Sequence, residues 1–234
     1  MTTTAVRALA SASPVADVAD AFVAAVIDAF RSRAGSRFAL VLSGGPTAQA
    51  CYERLAADRS GSIDWSVVDI YIGDERVVPP DDQDANQRLV REALVDPVGP
   101  VGSFRPMPTV GMLADCVAEY QVTVAGVLAG PGFDLVHLGL GPDGHTASLF
   151  PGAPTLTAPP NVLVASTEDP NGRNPHPRMT LTLPAINQAR QVVFTVGGSA
   201  KKDAVAQVRE GLALPGAQVD AARVDWLIDH EAFG

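Results

Sequence analysis

A chain of 234 residues with 47% apolar and 18% charged residues has ample material for a core, which excludes a chain that stays disordered. Its net charge of −9 is the wrong sign for a general nucleic-acid binder, so any site for an anion must be a local basic pocket. Cys51 and Cys116 form no CxxC pair, and no apolar run reaches the roughly 20 residues of a membrane helix, so we expect a soluble cytoplasmic protein.

Helix-like and strand-like segments alternate along the chain. Apolar spacing predicts helices over residues 15–33, 47–57, 85–94 and 113–129, and a last helix starting near residue 199. Short apolar runs predict strands over residues 38–42, 67–72, 133–140, 162–165, 179–183, 192–196 and 225–229. This alternation indicates an α/β fold with a mostly parallel sheet and helices on both faces. The stretches 77–84 and 96–108 are expected to be irregular, and they fit one decorated domain or two domains equally well.

Unusual clusters of residues follow four of the predicted strands. They are Ser43-Gly44-Gly45, Gly73-Asp74-Glu75-Arg76, the segment 139–145, and Gly197-Gly198 shortly before Lys201. Ligands of open α/β sheets bind beyond the carboxyl ends of the strands, and those ends meet at one edge. We therefore expect the four clusters to share a pocket.

Two of these clusters have the features of anion-binding turns. Ser43 to Thr47 joins a strand to a helix, and its glycines would let backbone N–H groups approach a phosphate at the helix start. An ordinary tight turn remains the alternative for this segment. The second turn, before Lys201, adds the point charge of a lysine, whereas Lys202 is expected to be solvent-exposed.

Asp143 and His145 are the strongest candidates for acid–base chemistry. A carboxylate two residues from an imidazole can orient it, and histidine titrates near neutral pH. His137, His176 and His230 lack such a partner and are given no role. The other charged cluster, from Asp74 to Arg76, is either part of the site or a solvated turn with a weak ion pair.

Several chemistries lack their sequence signatures. The segment 139–144 matches GxGxxG formally, but Pro151 and Pro154 interrupt the helix that a dinucleotide site needs. There is no HExxH, no zinc-type Cys/His spacing, no P-loop and no GxSxG nucleophile elbow. These residues predict an anion pocket of phosphosugar size with a histidine base, without metal or cofactor.

Three segments together resemble the 6-phosphogluconolactonase family. They are residues 133–152, residues 73–79 with 84–86, and residues 178–187, and the resemblance spans nearly the whole chain in the expected order. It implies one modified Rossmann-like α/β domain over residues 1–234 with a small additional sheet, as in glucosamine-6-phosphate deaminase and ribose-5-phosphate isomerase. It also implies cofactor-free, metal-free hydrolysis of a phosphosugar lactone in the oxidative pentose phosphate pathway. We expect no nucleic-acid or membrane partner, and a monomer or weak homo-oligomer.

The resemblance assigns a role to each matching position. His145 would activate water, Asp143 would orient His145 or bind substrate hydroxyls, and Arg76 would stabilise the oxyanion. Asp74 would position the sugar or Arg76. The residues implied to hold the phosphate are Ser43, Gly44, Gly45, Thr47, Arg178 and Lys201. Two departures from the family pattern, Ala48 and Lys202, leave this chemistry intact but blur the choice of phosphate ligands.

Two other functions fit the same fold. The related deaminase has a glutamate that supports its histidine, and Phe150 stands at that position here, which disfavours an isomerase. A non-catalytic sugar-phosphate sensor of this fold would carry a DNA-binding domain, for which the acidic chain has no room. Binding of substrate without turnover would favour the sensor.

Overall fold

A computed structural model describes residues 3–9, 14–58 and 60–234. Its strands are β1 (Thr3–Leu9), β2 (Phe38–Leu42), β3 (Val68–Ile72), β4 (Asp74–Arg76), β5 (Ser103–Arg105), β6 (Leu135–Leu138), β7 (Val164–Thr167), β8 (Arg178–Leu181), β9 (Gln191–Val196) and β10 (Arg223–Asp229). Seven of them form a sheet in the order β1-β10-β9-β6-β2-β3-β5, in which every neighbouring pair is parallel. All residues of β6 and β9 are buried, so both faces of this sheet are covered.

The order of the strands reverses at the pair β2 and β6. From β2 the chain adds β3 and β5 on one side, and then returns to add β6, β9 and β10 on the other. Such a switch point leaves a crevice beyond the carboxyl ends of its two strands. The Ser43 and Gly139 clusters follow β2 and β6, so two of the predicted clusters lie at this crevice.

The helices connect and cover the strands. They are α1 (Pro14–Arg31), α2 (Pro46–Ala56), α3 (Asn86–Val90), α4 (Asp96–Val98), α5 (Leu113–Leu128), α6 (Leu183–Ile186), α7 (Lys202–Arg209) and α8 (His230–Phe233). Helix α1 packs on α2, β9 and β10, and its side chains Val18, Phe22 and Val26 are fully buried in the core. A 3₁₀ turn, Ser199–Lys201, leads into α7, where the sequence predicted a helix start.

A second, antiparallel sheet has the order β4-β8-β7. The chain passes from the main sheet into this one at Gly73, whose carbonyl accepts the N–H of Leu181. Helix α5 joins the two sheets, because the Tyr120 hydroxyl bonds the backbone of Ile72 while the Gln121 amide oxygen accepts the N–H of Val164. The mostly parallel main sheet and small additional sheet confirm the predicted fold class.

Three details of the sequence prediction are wrong. The stretch 96–108, expected to be irregular, contains α4 and the edge strand β5. Helix α3 continues through a π-helical segment, Arg91–Val95, into α4, and this wider turn carries the helix past Pro97. At the other edge of the sheet, β1 pairs with β10 and was not predicted.

Candidate functional site

A cavity of about 200 Å³ opens where the crevice of the main sheet meets the small sheet. Every predicted site residue except Asp143 lines this cavity: Ser43, Gly44, Gly45, Thr47, Asp74, Arg76, His145, Arg178 and Lys201. Asp143 lies directly behind His145. The structure therefore brings the four clusters predicted from sequence into one place.

The turn between β2 and α2 is built around its glycines. Gly45 has φ 103°, in the left-handed region, and stands as the N-cap of α2. Gly44 lies so close to the side-chain amide of Asn86 that a methyl group there would overlap it. The Tyr52 hydroxyl, from the same helix, accepts the N–H of Ser43 at 2.8 Å and donates to its carbonyl at 2.8 Å. The turn is thus rigid, and it presents a helix N-terminus to the cavity, where a phosphate is favoured.

His137 lies beneath this turn. Its Nδ1 is 2.7 Å from the Tyr52 hydroxyl, and its Nε2 is 2.8 Å from Oγ1 of Thr195. Its backbone carbonyl accepts a hydrogen bond from Oγ of Ser43 at 2.7 Å. Burial lowers the pKa of His137 to about 3, so the ring is neutral near pH 7. The side chain has both ring nitrogens occupied and supports the cavity floor.

Asp143 and His145 form a close pair on the loop after β6. Oδ1 of Asp143 is 2.5 Å from Nδ1 of His145. Burial raises the pKa of Asp143, but the hydrogen bond to His145 and its charge outweigh burial and hold that pKa below its ordinary value. An ionised Asp143 fixes the proton of His145 on Nδ1, which leaves Nε2 with a lone pair.

The position of the His145 ring depends on two neighbours. A side chain at Gly141 would overlap the imidazole, so the ring needs a glycine beneath it. The ring of Phe150 lies 4.9 Å away, centroid to centroid. The imidazole is therefore held by packing as well as by the Asp143 carboxylate.

Arg76 and Arg178 lie directly opposite each other on β4 and β8. Like charges in such a pair are destabilising, and an anion between them would offset the repulsion. Burial lowers the pKa of Arg178, opposed by the charge of Asp74. Burial also lowers the pKa of Lys201, opposed by the charge of Asp143. The cavity thus concentrates three cationic side chains within an acidic protein.

Asp74 is buried, and this overturns the alternative of a solvated turn for residues 74–76. Its Oδ2 accepts a hydrogen bond from Oγ of Ser148 at 2.7 Å, and the same Oγ is 3.4 Å from Nη1 of Arg178. Ala147, which precedes Ser148, has φ 46°, a left-handed conformation that is strained for a residue with a side chain. The Ser148 hydroxyl thus links the loop after β6 to the small sheet.

Asn86 and Ser148 are site residues to which sequence reasoning gave no role. Asn86 lines the cavity and donates from Nδ2 to the carbonyl of Asp74 at 2.7 Å. Within the described chain, Nε of Arg76, Nε of Arg178 and Oδ1 of Asn86 are buried without a hydrogen-bond partner. Asn86 and Ser148 both lie inside segments that carry the family resemblance, and this was the one indication of them in the sequence.

Glu75 is fully buried and holds the start of α3. Its carboxylate accepts the backbone N–H groups of Arg76, Asn86 and Gln87 at 2.7–2.8 Å. Burial raises the pKa of Glu75 to about 7, although these three donors oppose the rise. Glu75 thus fixes Asn86 and Arg76 at the rim of the cavity from within the core.

The raised pKa predicts how Glu75 couples stability to pH. The folded state binds the proton of the Glu75 carboxyl more tightly than the unfolded state does. The stabilising contribution of this group is therefore full below the ordinary pKa of 4.5 and is lost as pH rises through 7. We expect the free energy of unfolding of the wild type, relative to Glu75→Gln, to fall by about 2–3 kcal/mol between pH 5 and 8. Urea unfolding of both proteins at the two pH values measures this change. Glu92→Gln on the exposed face is the control, and a pH-independent difference for Glu75→Gln would contradict the prediction.

Two further features are absent from the residues that the structure describes. No group of three or more His, Cys, Asp or Glu side chains there could hold a metal ion. None of the helices in the same residues combines the length and apolar character needed to cross a membrane.

The chain is similar to known proteins at the level of a family model, of sequence and of structure. The family model described as glucosamine-6-phosphate isomerases/6-phosphogluconolactonase matches residues 10–227. A 6-phosphogluconolactonase of Synechocystis sp. is 39% identical over 82% of this chain and 82% of its own length. One from Mycobacterium tuberculosis is 37% identical over 82% of this chain and 83% of its own. The solved 6-phosphogluconolactonase from Trypanosoma brucei superposes with a TM-score of 0.81 at 28% identity, covering 99% of this chain and 97% of that one.

Proposed function

The chain belongs to the glucosamine-6-phosphate isomerase/6-phosphogluconolactonase family, and we propose that it hydrolyses 6-phospho-D-glucono-1,5-lactone to 6-phosphogluconate. Relatives that share more than a third of its residues over most of both chains carry the lactonase name. This reaction belongs to the oxidative pentose phosphate pathway. The buried free thiols of Cys51 and Cys116 favour a reducing compartment, and we propose the cytoplasm.

One observation supports the proposal more than any other. The Asp143–His145 pair opens onto the same cavity as Arg76, Arg178 and Lys201. A general base and a cluster of cations within one small cavity suit a substrate that carries both an anionic group and a carbonyl to be attacked.

The phosphate is assigned to one end of this cavity. The turn from Ser43 to Thr47 offers backbone N–H groups at the N-terminus of α2, while Arg178 and Lys201 add charge. Arginine suits bidentate contact with phosphate oxygens and lysine acts as a point charge.

In the proposed hydrolysis, Nε2 of His145 accepts a proton from water as the water oxygen attacks the lactone carbonyl carbon. Arg76 stabilises the oxyanion that forms, a contribution on the order of 3 kcal/mol for one preorganised donor. As the carbon–ring-oxygen bond breaks, protonated His145 returns the proton to the ring oxygen, which yields the open-chain acid. Asp143 keeps the imidazole in the required tautomer, and Asp74 positions the sugar or Arg76.

The side chain that packs against His145 favours hydrolysis over isomerisation. Phe150 is fully buried beside the imidazole and cannot relay a proton. A ring-opening isomerase needs additional proton shuttles at this position. The deaminase is therefore an outcome of the test rather than a second proposal.

The test is turnover of freshly generated 6-phosphogluconolactone with a chelator present, followed by proton release and corrected for uncatalysed opening. We expect fast hydrolysis of this lactone and little of unphosphorylated gluconolactone. Turnover of glucosamine 6-phosphate in place of the lactone would overturn the proposal in favour of an isomerase. Binding of 6-phosphogluconate without any turnover would overturn it in favour of a sensor.

A further inference from the structure

The segment between β7 and β8, residues 168–177, folds over Asp143, and we call it the clasp. Nδ2 of Asn171 donates to Oδ2 of Asp143 at 2.7 Å. Nη1 of Arg173 lies 3.6 Å from the same oxygen. Neither residue lines the cavity, and neither was singled out from sequence.

The two oxygens of Asp143 therefore have separate partners. Oδ1 faces His145. It lies 2.5 Å from the ring Nδ1 and accepts a hydrogen bond from the backbone N–H at 3.3 Å. Oδ2 faces Asn171 and Arg173. A carboxylate with partners at both oxygens cannot rotate freely about the bond that carries it. The clasp therefore contributes to the orientation of the imidazole.

The clasp is itself held in shape. Asn171 donates its backbone N–H to Oδ1 of Asp169, and Gly172 then turns the chain with φ 61°. Further along, Oδ1 of Asn174 accepts the N–H of His176, whose ring lies 3.4 Å from Asp84. The clasp is thus shaped by its own bonds and contacts the stretch 77–84 at Asp84.

We propose that Asn171 and Arg173 are positioning residues for hydrolysis, which act on His145 through Asp143. The inference rests on the proposed function. Asn171 fixes the plane of the carboxylate, whereas Arg173 balances part of its negative charge. The positive charge of Arg173 disfavours a further positive charge on the Asp143–His145 pair, so its loss should move the acidic limb of the kcat/KM profile upward.

Other charges also face the Asp143–His145 pair. Those that line the cavity with His145 are Asp74, Arg76, Arg178 and Lys201. Burial lowers the pKa of Lys201, Asp143 raises it, and Arg173 lowers it further, so Arg173 and Lys201 lie within one another's field. Arg173 is half-exposed and lies outside the cavity lining, so its removal changes one nearby charge without emptying the cavity.

The experiment compares kcat, KM and the pH profile of kcat/KM for the wild type, Asn171→Ala, Arg173→Gln and Arg173→Lys. We expect Asn171→Ala to lower kcat roughly tenfold with KM within about twofold, the loss of one hydrogen bond to a charged group. Arg173→Gln should move the midpoint of the acidic limb upward by about 0.5 pH unit, as expected for a half-exposed ion pair. Arg173→Lys should restore the midpoint, because it restores the charge.

Two control variants separate positioning from general effects. Gln188→Ala removes an exposed amide that donates to the carbonyl of Pro184, outside the clasp, and Arg54→Gln removes a distant surface charge paired with Asp20. Both should leave kcat and the midpoint unchanged. An unaltered profile for the Asn171 and Arg173 variants, or an equal loss for Gln188→Ala, would overturn the inference while the lactonase assignment stands. Absence of turnover in the wild type would instead overturn the proposed function and the inference with it.

Discussion

Replacement of His145 by Ala is expected to lower kcat for 6-phosphogluconolactone about 10³-fold, because a positioned general base contributes on the order of 10² to 10⁴. His145 presents the imidazole at the cavity, and Asp143 holds its other ring nitrogen at 2.5 Å. Affinity for 6-phosphogluconate should change by less than about threefold, since the phosphate contacts lie on other elements. Steady-state kinetics and calorimetric titration of the product measure the two quantities.

The control for this variant is added imidazole, which can enter the space that the ring vacates and accept the proton. Partial recovery of turnover by imidazole, with no effect on the wild type, would identify the missing group as a base. Wild-type rates in His145→Ala would remove the base assignment. A matching loss of product binding would show instead that the ring holds the substrate.

The main sheet could be predicted because its central strands are continuous apolar runs. Residues 38–42 and 192–196 are predicted and observed as strands with little change at their ends. The edge strand β5 could not be predicted, since three residues contain no period and its existence depends on pairing with β3. An apolar run in the sequence identifies a strand that is buried on both faces, whereas a short edge strand forms because a neighbouring strand pairs with it.

The site was predictable where its residues follow strands. Ser43 directly follows β2 and the loop that carries His145 follows β6, so the topology of a parallel sheet brings them together. The burial of Asp74 was not predictable, because the charged triplet at 74–76 reads as a solvated turn until β8 pairs with it. The contact of Asn171 with Asp143 spans 28 residues and also lies beyond any local pattern.

Replacement of Arg178 by Ala is expected to raise KM for 6-phosphogluconolactone by about 30- to 100-fold and to change kcat by less than about threefold. A hydrogen bond to a charged group contributes about 1.5–3 kcal/mol, and a phosphate contact is equally strong in the ground and transition states. The substrate without a phosphate supplies the internal control. For unphosphorylated gluconolactone, kcat/KM should be nearly the same in the variant and the wild type.

Arg178 is also part of the small sheet, which makes a second variant necessary. Arg178→Lys keeps the charge and most of the side-chain volume but loses the planar fork, so it should raise KM only about tenfold. Arg76, the arginine assigned to the oxyanion, lies directly opposite Arg178 on β4. A fall in kcat with unchanged KM in Arg178→Ala would place Arg178 at the developing oxyanion instead. That result would exchange the assignments of Arg76 and Arg178.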